Sequence, residues 1–555
     1  MFCYHCQEAK KNIACDTAGI CGKKSDISSL HDLLTYSLKG LSYYAHQADE
    51  LNLSDANINQ FTARALYSML TNVNFDAAIF VQLISETIQR REFLKRQLLT
   101  HGAKFKQLLP EETLWHYASI DVAEFTKKGE SVGVMPEEEM SEEIADIHAA
   151  REMLVYALKG LGALIEHIQV LEPVAAEHYA FIHKGLAFTL EPEVDLESLL
   201  ALNFDCGQQA IALMACLEKA NTQRFGEPEP TKVHLEPSDR PGVIVTGHDF
   251  QDLHDLLEQS AGTGVDIYTH GEAISAHSYP AFKKYFNLIA NYGSAWQGQK
   301  TEFPKFNGPI LVTTNSIQQP KKTYQEKLFS TGMVAWPDVH HIADRKPGQR
   351  KDFSEIIELA KQNDIATPLT EGTFVTGYGL KALSGLSDKI SAAITADKIK
   401  RIIVLAGTDG RHKERKYYTE LAQALPENTL VITAGDVKYR LLTHDFGEID
   451  GIPRLLDAGQ SNDFSVIIEF LQGLQLKLGL SDLNALPVSF NIAWYEQKTI
   501  LMMLALFALN FKNIRVGPTL PPFFTPTLLE LFTEKYGLKG IDTVENDIES
   551  MLAGN

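Results

Sequence analysis

No cysteine follows Cys216 in this chain of 555 residues. Thiolate chemistry of every kind, from metal ligation to nucleophilic catalysis, is therefore excluded from everything beyond that point. No Gly-x-Gly-x-x-Gly opens a helix after the first strand of either predicted α/β domain, and there is no Gly-Lys-Ser/Thr phosphate loop, so nucleotide binding is disfavoured. An excess of positive charge is also missing: 71 acidic against 51 basic side chains leave a formal charge of −20. Such a surface repels nucleic-acid phosphate and anionic membranes. The opening MFCYHCQEAK lacks the basic region and apolar core of a signal peptide, and the apolar run Thr499 to Phe511 is far shorter than a membrane span. These absences point to a reducing cytoplasm, with neither nucleic acid nor membrane as partner.

The cysteines that are present are concentrated. Four of the six fall in the first twenty-one residues as Cys3-x2-Cys6-x8-Cys15-x5-Cys21. A thiolate quartet on one loop offers soft ligands to an iron-sulfur cluster or to zinc. One short hook followed by two widely spaced cysteines suits the corners of a [4Fe-4S] cubane better than a zinc ribbon, which usually repeats the hook. Cys206 and Cys216 read as small core residues of a helix.

After this loop the pattern is helical, with apolar residues spaced for one face over Ile27 to Leu51 and Phe80 to Leu99. Leu34-Thr-Tyr-Ser-Leu-Lys39-Gly40-Leu41 returns as Leu154-Val-Tyr-Ala-Leu-Lys159-Gly160-Leu161, and Asn74-Phe-Asp76 returns as Asn203-Phe-Asp205. This repetition predicts a duplicated up-and-down bundle, its halves joined by the acidic Pro136-Glu-Glu-Glu-Met-Ser-Glu-Glu, a solvated helix start. A four-proline segment, EPEPTKVHLEPSDRPG, ends the helical region. Short apolar strands then alternate with helices, with strands ending at Val245, Tyr268, Val312, Val375, Leu405, Ile432 and Ile492, and helices over Asp249 to Ser260 and Tyr495 to Leu509. That alternation implies parallel sheets. Val243-Ile-Val-Thr-Gly-His248 matches Thr373-Phe-Val-Thr-Gly-Tyr378, which suggests that the α/β unit is also duplicated. The predicted fold is multidomain α and α/β: a cysteine loop (1–26), duplicated helical bundles (27–234) and two Rossmann-like domains (235–370 and 371–555).

Open α/β sheets bind ligands beyond the carboxyl ends of their strands. The residues immediately after the strands here are unusually polar: Thr246-Gly-His248-Asp249, Thr269-His-Gly-Glu272, Thr313-Thr-Asn-Ser316, Gly407-Thr408-Asp409-Gly410, Ala434-Gly-Asp436 and Ala493-Trp-Tyr-Glu496. One imidazole with several carboxylates suits a hard or borderline metal ion between the two domains. Each residue also has a local reading: His248 as a packing residue at a helix start, Glu272 and Glu496 as first-turn charges, Asp409-Gly410 as a turn. The pair His340-His341, beside the basic Arg345-Lys-Pro-Gly-Gln-Arg-Lys351, reads as a solvated connection.

The cysteine loop, together with Thr71-Asn-Val-Asn-Phe-Asp76, Gly-His248-Asp, Tyr-Thr-His-Gly-Glu272, Asn-Tyr-Gly-Ser-Ala-Trp296, Asp457-Ala-Gly-Gln460, Trp494-Tyr-Glu496-Gln-Lys498 and Gly517-Pro-Thr, closely resembles the hybrid cluster protein family, also called prismane or hydroxylamine reductase, over essentially the whole chain. The resemblance implies a duplicated helical domain, two Rossmann-like domains and a cluster on Cys3, Cys6, Cys15 and Cys21. It also implies an inner iron-sulfur-oxygen hybrid cluster held by one His, two Glu and four Cys, acting on hydroxylamine or related nitrogen species. His248, Glu272 and Glu496 match the His and Glu ligands, and Lys498 a lysine beside them. The four inner cysteine positions carry Ser316, Thr408, Asp436 and Ser461, which are poor anchors for iron and sulfide.

The expectation is therefore one [4Fe-4S] cluster and no typical hybrid cluster. In its place, His248, Glu272, Asp436 and Glu496 form a set suited to one or two ions of iron, manganese or zinc, with Glu272, Glu496 and Lys498 as the catalytic candidates. A pocket neutralised by Lys498 or Arg440 is the bland alternative. Three functions follow: a redox metalloprotein acting on a small oxygen- or nitrogen-containing substrate, fed by an electron-donor protein; an ordinary hydroxylamine reductase; or a non-enzymatic electron carrier or binding protein.

Overall fold

The computed structural model describes residues 1–135, 140–346, 348–442 and 444–555. Seven helices follow the amino-terminal loop: α1 (Ser25–Glu50), α2 (Ala56–Ser68), α3 (Ala77–Thr100), α4 (Val122–Ser131), α5 (Glu142–Gln169), α6 (Ala176–Phe188) and α7 (Leu196–Phe225). Carboxylate caps begin several of them, with Asp55, Asp76, Asp121 and Asp195 each accepting a first-turn N–H. Ser141 caps α5 through the Ile144 N–H, so part of the predicted acidic helix start is there; Pro136–Glu139 lie outside the described residues.

The order long, thirteen-residue, long repeats as α1-α2-α3 and α5-α6-α7. The halves are not separate bundles, however. The short helix of each half packs chiefly against the long first helix of the other, α6 on α1 and α2 on α5. His183 of α6 joins this seam, reaching Ser42 of α1 at 3.1 Å and Asn59 of α2 at 3.0 Å. The Lys-Gly match falls on equivalent helices α1 and α5. The Asn-Phe-Asp match does not: Asp76 caps α3, whereas Asn203–Asp205 lie inside α7, where Asn203 turns its amide onto the carbonyls of Leu199 and Ala150. Among the described residues α7 is the one helix long and apolar enough to cross a membrane by composition. It packs on α5 and on the helix Gln497–Ala508. Cys206 is buried in its core face, while Cys216 is half-buried.

Strand β1 (Thr231–His234) leads into a parallel sheet of β2 (Gly242–Thr246), β3 (Asp266–His270), β4 (Leu288–Asn291), β5 (Ile310–Val312), β6 (Leu328–Ser330) and β7 (His340–His341), in spatial order β4-β3-β2-β5-β6-β7. After β8 (Thr373–Thr376) come β9 (Arg401–Gly407), β10 (Thr429–Ala434), a hairpin of β11 (Glu448–Ile449) and β12 (Ile452–Pro453), then β13 (Leu455–Asp457), β14 (Val488–Ala493), β15 (Ile514–Gly517) and β16 (Lys539–Gly540). The second sheet runs β13-β10-β9-β14-β15-β16. Both sheets thus have the doubly wound order 3-2-1-4-5-6. Strands β2, β3, β10 and β14 are buried at every residue, as expected of parallel strands covered on both faces.

The internal match of Thr373–Tyr378 with Val243–His248 is corrected here. β8 lies outside the second sheet and pairs antiparallel with β1. The true counterpart of β2 is β9, the strand on which the order of the second sheet reverses. Gly247-His248 therefore corresponds to Gly407-Thr408, Gly271-Glu272 to Gly435-Asp436, and Ser316 to Glu496.

The predicted solvated loop after His340-His341 is exposed over most of its described residues, but two of its basic side chains are not solvated. The two histidines are exposed on an edge strand, but Lys351 is buried with its ammonium 2.8 Å from Asp252, and Arg345 bonds Asp252 and Asp255. Asp252 and Asp255 sit on the inner face of α8 (Phe250–Ser260), and buried carboxylates demand such partners.

Candidate functional site

The amino-terminal loop folds back on itself, with Cys3 and Cys15 exchanging backbone hydrogen bonds of 3.1 and 2.8 Å. All four cysteines of the loop are free thiols. Burial pushes the Cys6 thiol well up, and the neighbouring Cys21, Glu8 and Cys3 add to the effect; burial also raises Cys21. Four thiols on one folded-back loop are the soft donor set that an iron-sulfur cluster takes, and among the described residues no three of them yet stand close enough to share one ion. Lys23 lies 4.0 Å from the Cys3 sulfur and 3.4 Å from His31 Nδ1.

This loop is fastened to the carboxyl end of the second sheet. Gln7 donates its N–H to the Tyr495 carbonyl at 2.8 Å. Arg415, fully buried, donates to Gln7 Oε1, the Thr408 carbonyl and the Trp494 carbonyl, while Arg411 grips Glu8. The Tyr495 ring packs against Trp296, tilted by 39° with centroids 4.5 Å apart, so buried aromatic rings stand next to the loop and to Glu496.

The inner site forms where the switch points of the two sheets meet. Gly407 and Gly435 follow β9 and β10 with φ of +119° and +87°. A Cβ on Gly407 would lie 2.3 Å from the Ala493 carbonyl oxygen, and one on Gly435 would lie 2.4 Å from that of Gly407. Only glycine allows this approach, which brings Thr408, Asp436 and Ser461 together. From the first sheet, Glu272 reaches across to accept the Ser461 N–H at 2.5 Å. His248 Nε2 lies 3.2 Å from the same carboxylate oxygen and 3.1 Å from Lys498 Nζ. Ser316, at φ +101°, joins through its N–H to the Asn72 carbonyl at 2.8 Å, and the Asn72 amide donates to Tyr495 Oη. Ser461, Glu272, His248 and Lys498 thus meet in one run of contacts across both sheets, with Asp436 within electrostatic reach of Glu272 and Glu496 capping the helix that carries Lys498.

Their local roles are present as well. Glu496 caps the helix Gln497–Ala508 through the Lys498 N–H. Asp249, not His248, caps α8. Asp409 is more than a turn: it is buried, and its carboxylate accepts from Arg440 Nε and Gln297, each at 2.7 Å.

Burial and the Lys498 ammonium pull His248 below the usual imidazole range, against the Glu272 carboxylate, which pulls it up. His248 Nε2 is shared between Lys498 Nζ at 3.1 Å and Glu272 at 3.2 Å, and Nδ1 faces Thr314 Oγ1 at 2.9 Å. Burial would raise Glu272, but His248, Lys498 and the Ser461 amide together hold it below the usual carboxylate range. Asp436 is driven well up by burial and by the charges of Glu272 and Asp409. Glu272 is held toward its ionised form and Asp436 is pushed toward its protonated form, a pairing that sets proton acceptor apart from proton donor. Asp436 Oδ1, Glu496 Oε1 and Ser461 Oγ are buried without hydrogen-bond partners. Among the described residues no three imidazole, thiol or carboxylate side chains stand close enough to share one ion. The His248-Glu272 pair is the nucleus to which Asp436, Glu496 or water would have to be drawn.

The Prismane/CO dehydrogenase family matches residues 1–549. This chain belongs to that family. Relatives named hydroxylamine reductase are 45% identical over 559 residues in Halothermothrix orenii, covering all of both chains, and 43% identical over 552 residues in Methanosarcina mazei, again over all of both. The fold resembles a nickel-free carbon monoxide dehydrogenase from Thermococcus sp. AM4, with a TM-score of 0.55 at 15% identity, covering 100% of this chain and 90% of that one. Carbon monoxide dehydrogenase IV from Carboxydothermus hydrogenoformans gives a TM-score of 0.55 at 14% identity, covering 99% and 92%. Family membership supports an oxidoreductase role with iron-sulfur clusters.

Sequence reasoning missed His167. It lies on α5, buried, its ring stacked on His248 at 5.8 Å and 23°. A lone histidine in a helix of ordinary periodicity gives no signal of such a role. Asn462 and the fully buried pair Lys438-Asp457, at 2.7 Å, were missed for the same reason.

Proposed function

We propose that this chain is an iron-sulfur oxidoreductase that reduces a small nitrogen- or oxygen-containing substrate of the hydroxylamine class at the inner site. Cys3, Cys6, Cys15 and Cys21 would hold one [4Fe-4S] cluster, which supplies electrons one at a time when bound. The observation that carries the reading is the approach of Glu272, at 3.2 Å, and of Lys498, at 3.1 Å, to the same nitrogen of His248, where the switch points of both sheets meet.

The hybrid cluster of the resembled family does not fit this site. Hydroxyls stand at 316, 408 and 461 and a carboxylate at 436, hard oxygens where that cluster needs soft thiolates. The set His248, Glu272, Asp436 and Glu496 suits instead one or two borderline or hard ions, and the unpartnered oxygens of Asp436, Glu496 and Ser461 are acceptors in want of a cation or water.

Reduction of hydroxylamine to ammonia and water consumes two electrons and two protons. Asp436, where it is not drawn onto a metal, and the Lys498 ammonium would be the proton donors in reach, and Glu272 would balance the positive charge. Lys498 at His248 Nε2 also supports a second reading, in which the pocket is self-neutralised and the chain is an electron carrier.

Anaerobic oxidation of a reduced viologen dye, followed with and without hydroxylamine, separates the two. The proposal expects hydroxylamine-dependent oxidation that falls at least tenfold in Glu272→Gln; no dependence on hydroxylamine in the native chain favours the carrier.

A further inference from the structure

A second feature reaches the inner site from outside. Between α2, α5 and the loops of the first sheet lies an open cleft of about 290 Å³, lined by Arg64, Tyr67, Glu166, Asp249, Thr314 and Lys351. Its floor is made by His167, Val170 and Asp249, and the same three residues wall a much smaller chamber of about 10 Å³ beyond them, together with His248, Gln460 and Asn462. That chamber has room for about one water-sized molecule. Outer cleft and inner chamber therefore adjoin across a shared wall, and the chamber is lined by the imidazole that meets Glu272 and Lys498.

The chamber is prepared for a hydrogen-bonding guest. Asn462 is 1% exposed, yet among the described residues neither its amide oxygen nor its amide nitrogen has a partner, and His167 Nε2 is likewise unpartnered. Buried polar atoms are rarely left so. Together they offer a donor and acceptors to something absent from the chain itself. The cleft outside mixes signs closely, with Arg345 and Lys351 committed to Asp252 and Asp255. Such a lining neither attracts an ion of one sign nor favours an apolar gas.

One side chain bridges the cleft mouth. Arg64 on α2 pairs with Asp344 beyond β7 and lies 3.8 Å from Glu166 on α5, while its Nε donates to the Met333 sulfur at 2.9 Å. Of the shared wall His167 is buried and Val170 and Asp249 are half-buried, whereas the Arg64 and Asp344 side chains are 39% and 44% exposed. Exposed ion pairs are weak and exchange readily with water.

We propose that this cleft is the access path of the inner site for a small, neutral, hydrogen-bonding solute, and that Arg64 is its door. The proposal rests on the reading of the inner site as the place acted upon, but its test requires neither metal nor turnover.

Asn462→Cys places a thiol in the chamber of the full-length chain. Hydrogen peroxide, a neutral hydrogen-bonding molecule of two heavy atoms, converts a thiol to sulfenic acid and is itself reduced to water; the rate is read peptide by peptide by mass spectrometry after trapping, which separates this thiol from the native ones. Adding Arg64→Ala should speed oxidation of the N462C thiol about tenfold, and Val170→Trp, at the shared wall, should slow it about tenfold. The anionic reagent sulfonatoethyl methanethiosulfonate should leave that thiol unmodified in the Arg64 background. Equal peroxide rates with and without Arg64→Ala would overturn the door. Because Arg64 is partly exposed, that arm stands even where the tryptophan variant fails to fold. A negative result leaves the proposed reaction intact, and an inner site that holds no metal leaves the access rates unchanged.

Discussion

His248 and Glu272 come from the ends of neighbouring strands of one sheet and face each other at 3.2 Å, while Glu272 simultaneously takes the Ser461 N–H from the other sheet. This one carboxylate couples the two α/β units. Glu272→Gln keeps the shape but loses the charge, and should reduce any inner-site metal severalfold while leaving the visible absorption of the amino-terminal cluster unchanged. Metal analysis beside an absorption spectrum checks both halves of the statement.

The amino-terminal loop should behave as a separate centre. Cys6→Ser should abolish or strongly bleach the visible charge-transfer absorption of anaerobically prepared protein, with far-ultraviolet circular dichroism unchanged. Undiminished absorption in that variant removes the cluster from this loop.

Acid should weaken the helical seam through His183. Burial, with a smaller contribution from His46, pushes His183 down to about 3. In the unfolded chain it takes a proton near pH 6.5, whereas in the folded chain it stays neutral, so stability is fully present above pH 6.5 and lost as pH falls below it. At about 1.4 kcal/mol per pH unit, the loss between pH 7 and 5 is about 2 kcal/mol. Denaturant midpoints of His183→Gln should therefore change less between those two values than those of the native chain; equal slopes contradict the assignment.

Packing around the inner-site helix is similarly exposed to test. A Cβ on Gly207 of α7 would lie 2.2 Å from the Leu504 carbonyl oxygen in the helix Gln497–Ala508. Gly207→Ala should destabilise by about 1–3 kcal/mol, the usual cost of overpacking, and lower the thermal midpoint.

Much of this arrangement was legible in the sequence. Strand ends and polar tails were read almost to the residue because parallel strands are continuous apolar runs and their carboxyl ends carry the ligands. The convergence of His248, Glu272, Asp436, Ser461 and Glu496 followed from that rule. What failed depended on partners. Thr373–Thr376 has the composition of a sheet strand, and nothing local states that β1 will take it. Arg345 and Lys351 looked solvated because the carboxylates that bury them lie about ninety residues earlier. His167 and Asn462 carry no spacing signal, since their role arises only when α5 meets the two sheets.

Hydroxylamine turnover should also be at least tenfold slower than in a relative carrying four inner cysteines assayed alongside, because hydroxyl and carboxylate groups replace the thiolate anchors at 316, 408, 436 and 461.

The most direct test of the central claim is the ratio of iron, other metals and acid-labile sulfide per chain in anaerobically purified protein. The account predicts the sulfide of a single cubane, all of it lost in Cys6→Ser, with additional metal that carries no sulfide and depends on Glu272. Sulfide well beyond one cubane, persisting in Cys6→Ser, would show a second sulfide-rich cluster at the inner site and contradict the account.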